Sequence, residues 1–139
     1  MSSMQRVFPM LAYEDVGAAA TWLCEAFGFE EAGERHDDGT RVTHAEVSYA
    51  GGSVMLGFPS PDYRGPRRHA EECDHARRWL DNPYVVDGVL VEVDDLDVQL
   101  ELARRAGAEI LRGPDDEPFG RLFTAADLEG HRWMFVQPA

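Results

Sequence analysis

One glycine-punctuated pattern occurs twice in this chain, and that duplication limits the possible folds more than any other feature. The first copy opens with Glu14-Asp15-Val16, runs through a stretch with helical spacing, and stops at Phe27-Gly28-Phe29. The second opens with Asp94-Asp95-Leu96, 80 residues further on, and stops at Ala106-Gly107-Ala108. Val54-Met55-Leu56 returns as Trp133-Met134-Phe135 at an offset of 79. Solenoid units run to about 20–50 residues, so a repeat this long is a duplicated module rather than an array. A ligand site is expected between the two halves.

The elements within each copy follow from periodicity. Val7 to Tyr13 is a short apolar strand. Asp15 caps a helix whose apolar positions Val16, Ala19, Ala20, Leu23 and Phe27 fall on one face. Gly28 supplies the left-handed residue that ends it. Thr43 to Ala50 alternates cleanly, and Gly51-Gly52 turns the chain into a strand from Ser53 to Phe58. The first module is therefore β-α-β-β-β, over residues 5–58. Residues 59–83 form a connection: Pro59, Pro61, Gly65 and Pro66 break regular structure, then Arg67 to Leu80 reads as one helix with Cys73, Ala76 and Leu80 in a stripe. The second module covers 84–137. It has a strand from Val85 to Val93, a helix from Leu96 to Ala106, a strand from Ala108 to Leu111, and a closing hairpin around Leu128-Glu129-Gly130. The fold class is α+β, two tandem βαβββ modules in one 139-residue domain.

Composition narrows the partners. The net charge is −13, so polyanions are repelled: nucleic acid and anionic membranes are not expected, and cationic small molecules are attracted at low salt. All 13 basic residues are Arg, which excludes a Schiff-base lysine and a phosphate-binding P-loop. Cys24 and Cys73 have no CxxC spacing and fit free thiols in a reducing compartment. No run approaches the roughly 18 apolar residues of a membrane span, and no signal peptide is visible, so a cytoplasmic protein is expected.

Alternation assigns faces to the hairpins. A Gly51-Gly52 turn places Tyr49 opposite Val54 and Val47 opposite Leu56, an apolar face for the helix. Glu46, Ser48 and Met55 then share the other face. In the second module Leu122, Thr124, Trp133 and Phe135 are expected to face the helix, with Arg121, Phe123, Arg132 and Met134 pointing away. Two such mixed faces make the candidate cleft.

These pieces, in this order, resemble the vicinal oxygen chelate superfamily, the glyoxalase, bleomycin-resistance and extradiol dioxygenase group, and within it the PhnB-like branch. The resemblance rests on Glu14-Asp15-Val16, Phe27-Gly28-Phe29, Ala50 to Leu56, Val93-Asp94-Asp95-Leu96, Arg105 to Ala108, Phe119-Gly120-Arg121 and Asp127 to Phe135, spanning nearly the whole chain. It implies paired βαβββ modules in a half-open barrel, commonly as a homodimer. Metal-using members take one ligand from the first and last strand of each module. The matching positions here are Phe8, Met55, Gly88 and Met134, none of which suits a divalent cation. No metal and no cofactor is therefore expected.

The remaining candidates are weighed by chemistry. His44 and Glu46, at i and i+2 on the cleft face, suit an acid/base pair or two ligands, although such residues on a semi-exposed strand are more often a hydrogen-bonded or solvated pair. Phe8, Met10, Met55, Leu90, Phe123 and Met134 suit a deformable apolar floor for a planar ligand, or ordinary core. Arg121 and Arg132 could clamp a carboxylate or phosphate, or pair with Glu46 or Glu92. The ligand-binding set is thus Phe8, Met10, His44, Glu46, Met55, Leu90, Glu92, Arg121, Phe123, Arg132 and Met134. Two functions stay open ahead of a third, a pocketless interaction module. One is metal-independent binding of a small organic molecule, for instance sequestering an antibiotic in a dimer cleft. The other is a glyoxalase-like lyase or isomerase acting on an oxygenated metabolite through His44 and Glu46, with or without a divalent metal.

Overall fold

The fold is that of a computed structural model describing residues 5–82 and 87–139. It is a mixed α+β chain with one five-stranded and one four-stranded sheet. The chain forms two compact units, Met1–Arg64 and Gly65–Ala139.

The first unit runs β1 (Met10–Ala12), α1 (Val16–Phe27), β2 (Glu30–Glu31), β3 (His36–Asp37), β4 (Val42–Tyr49) and β5 (Gly52–Gly57). The strand expected over Val7 to Tyr13 is shorter: Met10 to Ala12 are the register partners of β5, flanked by one hydrogen bond each from the Met55 N–H to the Pro9 carbonyl and from the Tyr13 N–H to the Gly57 carbonyl. The Asp15 carboxylate accepts the Ala18 N–H at 3.0 Å, and Gly28 ends α1 at φ 77. Its stripe of Val16, Ala19, Ala20, Leu23 and Phe27 is buried. The sheet order is β1-β5-β4-β2, with β3 also on β4. α1 lies against β4 and β5, over Ala45, Val47, Val54 and Leu56.

The β4–β5 turn corrects the sequence reading. Its two central residues are Ala50 (φ 49) and Gly51 (φ 88), not Gly51 and Gly52. Tyr49 pairs with Gly52, Val47 with Val54, and Ala45 with Leu56. Two-residue hairpins favour turns with both central residues at positive φ, and Ala50 accepts that conformation here. The pairing slides by two residues, an even step, so every side chain keeps its expected face.

The second unit contains α2 (Pro66–Glu72), α3 (Asp74–Leu80), β6 (Gly88–Glu92), α4 (Leu96–Arg105), β7 (Glu109–Glu117), β8 (Gly120–Ala126) and β9 (Arg132–Pro138). The single helix expected over Arg67 to Leu80 is broken at Cys73, whose backbone is extended at φ −142 and ψ 118. α4 repeats the α1 opening, with Asp95 accepting the Val98 N–H at 3.2 Å. β7 is much longer than the expected Ala108 to Leu111: two irregularities in its pairing let it follow β8 past Pro114. The sheet order is β6-β9-β8-β7. The start of the strand expected from Val85 lies outside the described residues.

Candidate functional site

In the first sheet, Met10 of β1, Met55 of β5 and Glu46 of β4 are register partners across three neighbouring strands. Register partners share a face, so these three project from the side opposite α1. Ala12, Gly57 and His44 form the next row, and His36 of β3 pairs with His44. The two imidazole rings lie 5.6 Å apart between centroids. Met10 is 79% exposed, a large apolar side chain facing outward. Phe8 precedes β1 and is 36% exposed. No hydrogen bond or ion pair joins His44 to Glu46 among the described residues, so the two share a face without forming a dyad.

The second sheet repeats the row: Leu90 of β6, Met134 of β9 and Thr124 of β8 are partners. Leu90 is 57% exposed. Glu92, Val136 and Leu122 form the row beside it, and Gly88, Arg132 and Ala126 the row on its other side. Gln137 identifies the opposite face as the one covered by α4, because its amide oxygen accepts the Leu96 N–H at 2.9 Å.

Arg121 and Phe123 stand on that covered face, which corrects their assignment. Arg121 is the partner of Gln137 and Phe123 the partner of Phe135. Phe123 is fully buried and stacks on Phe135 at 5.0 Å. Arg121 pairs with Asp97 of α4 at 2.6 Å. Leu122 and Thr124 therefore face away from α4. The cause is the connection between the strands: Ala126 pairs with Arg132, so residues 127–131 turn the chain. A one-residue change in loop length exchanges the faces of a whole strand.

The four positions that correspond to the ligands of metal-using members carry no suitable donor. Phe8 and Gly88 offer no side-chain donor, and Met55 and Met134 offer only weak thioethers. Among the described residues no group of three His, Cys, Asp or Glu could hold an ion. These residues do not fit a divalent cation.

A second feature lies wholly within the second unit. A pocket of ≈ 310 Å³ is lined by Arg67 and Ala70 of α2, Leu80 of α3, Glu109 of β7, Ala126 of β8 and Arg132 of β9, among others. Arg132 is 5% exposed. Its Nη2 donates to the Leu80 carbonyl at 2.9 Å, but Nε and Nη1 have no partner among the described residues. Burial lowers its pKa from the usual guanidinium value, Glu109 opposes that shift and Arg67 adds to it. Each unsatisfied buried donor costs about 1–3 kcal/mol. Sequence reading placed Arg132 on the correct face but missed this pocket, because residues 59–83 read only as a connection. The available signal was the density of arginine in it: Arg67, Arg68, Arg77 and Arg78.

Comparison with known proteins gives a consistent result. Residues 6–135 match the Glyoxalase/Bleomycin resistance protein/Dioxygenase superfamily. The chain is 27% identical over 135 residues to uncharacterized protein Mb0911c of Mycobacterium bovis, covering 94% of this chain and 81% of that one. TioX from Micromonospora sp. ML1 superposes with a TM-score of 0.69 at 29% identity, covering 97% of each chain. TnmS3, an antibiotic binding protein from Streptomyces sp. CB03234, does so with a TM-score of 0.63 at 18% identity, covering 98% of each. Among the described residues no helix is long and apolar enough to cross a membrane. The chain belongs to the glyoxalase/bleomycin resistance protein/dioxygenase superfamily.

Proposed function

We propose that this protein binds a small organic molecule without a metal, and that it does so as a homodimer. One observation carries the reading: where metal-using relatives place ligands, this chain presents two thioethers, a phenyl ring and a glycine. Met10 beside Met55 and Leu90 beside Met134 form equivalent apolar rows, with Met10 and Leu90 largely exposed. Thioethers are polarisable and adapt to flat ligands, and an exposed apolar row is a surface that a ligand or partner covers. The strong negative charge favours a cationic or neutral ligand over an anionic one at these rows. TnmS3, which shares the fold, is an antibiotic binding protein, and sequestration of an antibiotic is the use this reading favours.

A thermal-shift screen of planar organic molecules, antibiotics included, tests it. A ligand of the folded state raises the melting temperature, and Met55→Glu and Met134→Glu should each abolish that rise. Zinc, nickel, cobalt or manganese near one equivalent per chain after mild purification would overturn the reading in favour of a metal enzyme.

A further inference from the structure

We propose that the pocket between α2, α3 and the second sheet is an oxyanion site, in which a carboxylate or phosphate group pairs with the buried guanidinium of Arg132. This does not depend on the apolar rows or on what they bind.

Two of the three arginines that line the pocket already have carboxylate partners. Arg67 is committed: its guanidinium donates to the carbonyls of Asp127 and Leu128 at 3.0 Å each, and it lies 3.5 Å from Glu109. Arg77, also on the lining, pairs with Asp74 at 2.9 Å. Asp81 lines the pocket as well and is exposed to solvent. Arg132 alone combines burial with unused donors: it is 5% exposed and uses one nitrogen. A guanidinium cannot shed its proton in water-accessible pH ranges, so burial does not neutralise it. An anion can. A planar or tetrahedral oxyanion also matches the directional donors of arginine better than a halide does. At ≈ 310 Å³ the pocket has room for such a group with part of a small molecule or several waters attached. The repeat adds a contrast: in the first sheet the place corresponding to Arg132, two residues before Met55, is occupied by Ser53. The charge is thus peculiar to the second module and is not demanded by the duplicated fold.

Melting temperatures of the full chain in inorganic phosphate, in acetate and in chloride, at matched ionic strength and pH 7, test the proposal. Phosphate or acetate should raise the wild-type value by about 2–4 °C over chloride. Whichever of the two acts more strongly identifies the preferred oxyanion. Arg132→Met should remove that rise and, because it deletes an unpaired buried charge, should melt no lower than wild type in chloride. Equal melting in all three salts, or a rise that survives in Arg132→Met, rejects the site. Should the variant fail to fold, crystals of the wild-type chain soaked in selenate decide the matter. An anomalous peak within about 4 Å of the guanidinium supports the site, as charge-assisted contact requires, and an empty pocket overturns it.

Discussion

The indole Nε1 of Trp133 donates to Oδ2 of Asp127 at 3.0 Å, with both side chains fully buried. The other carboxylate oxygen, Oδ1, accepts the backbone N–H groups of Glu129 and His131 at 3.0 Å each. One carboxylate thus closes the turn between β8 and β9 and fixes the largest ring of the second core. Asp127→Ala removes the acceptor of one buried and two part-buried donors and should cost about 3 kcal/mol in urea unfolding. Trp133→Phe removes one donor and should cost less. The double variant should lose clearly less than the sum of the two, since the residues are in contact. Additive losses would mean that the hydrogen bond contributes nothing.

The same turn is gripped by the start of α2. The Arg67 N–H donates to the Glu129 carbonyl at 2.9 Å, and its guanidinium holds the two carbonyls before it. Gly130 sits at φ +97, and a Cβ there would lie 2.8 Å from the Arg67 backbone nitrogen. Gly130→Ala therefore meets both a strained conformation and a backbone clash. A loss of about 2–4 kcal/mol is expected, with hydrogen exchange accelerated in α2 before β9. Unchanged protection in α2 would show that this contact does not hold the helix.

Placement of Phe123 and Met134 on opposite faces makes a direct comparison possible. Phe123→Ala empties a site under α4 and should cost about 3–5 kcal/mol. Met134→Ala trims a partly exposed side chain and should cost about 1 kcal/mol. Chemical denaturation of the two variants measures the difference. Comparable costs would place Phe123 on the same face as Met134.

What could be read from sequence divides along a physical line. The two helix starts were legible because Asp15 and Asp95 are short polar side chains directly before apolar periodicity, and each caps as expected. The faces of β4 and β5 survived an incorrect turn because the slip was even. Those of β8 did not survive, because the turn after Ala126 is held by Asp127, a side chain whose partners lie two, four and six residues ahead. Alternation gives parity within a strand, but only the turn gives parity between strands. The pocket at Arg132 was invisible for a related reason. It depends on α2 and α3 lying on the sheet, a long-range contact that no local spacing announces.

The acid side of the stability curve should carry the mark of Glu31 and Arg35. The Arg35 Nε donates to Glu31 at 3.0 Å, and its Nη2 also reaches the Thr21 hydroxyl of α1 at 3.0 Å. The hydrogen bonds from Arg35 hold the Glu31 carboxyl below the usual carboxylate range. The folded chain therefore binds that proton less readily than the unfolded chain does. The pair's stabilisation is complete above the ordinary glutamate pKa of about 4.3 and is lost as pH falls through the lower folded value. Because the side chains are 31% and 34% exposed, solvent screening limits the effect to about 1 kcal/mol. Glu31→Gln should unfold more easily than wild type at pH 7, and the gap should narrow steadily as pH falls below about 4.3. Urea midpoints across that range measure it. A gap that stays constant as pH falls through the acid range would assign the loss to the geometry of the β2–α1 contact rather than to the charge on Glu31.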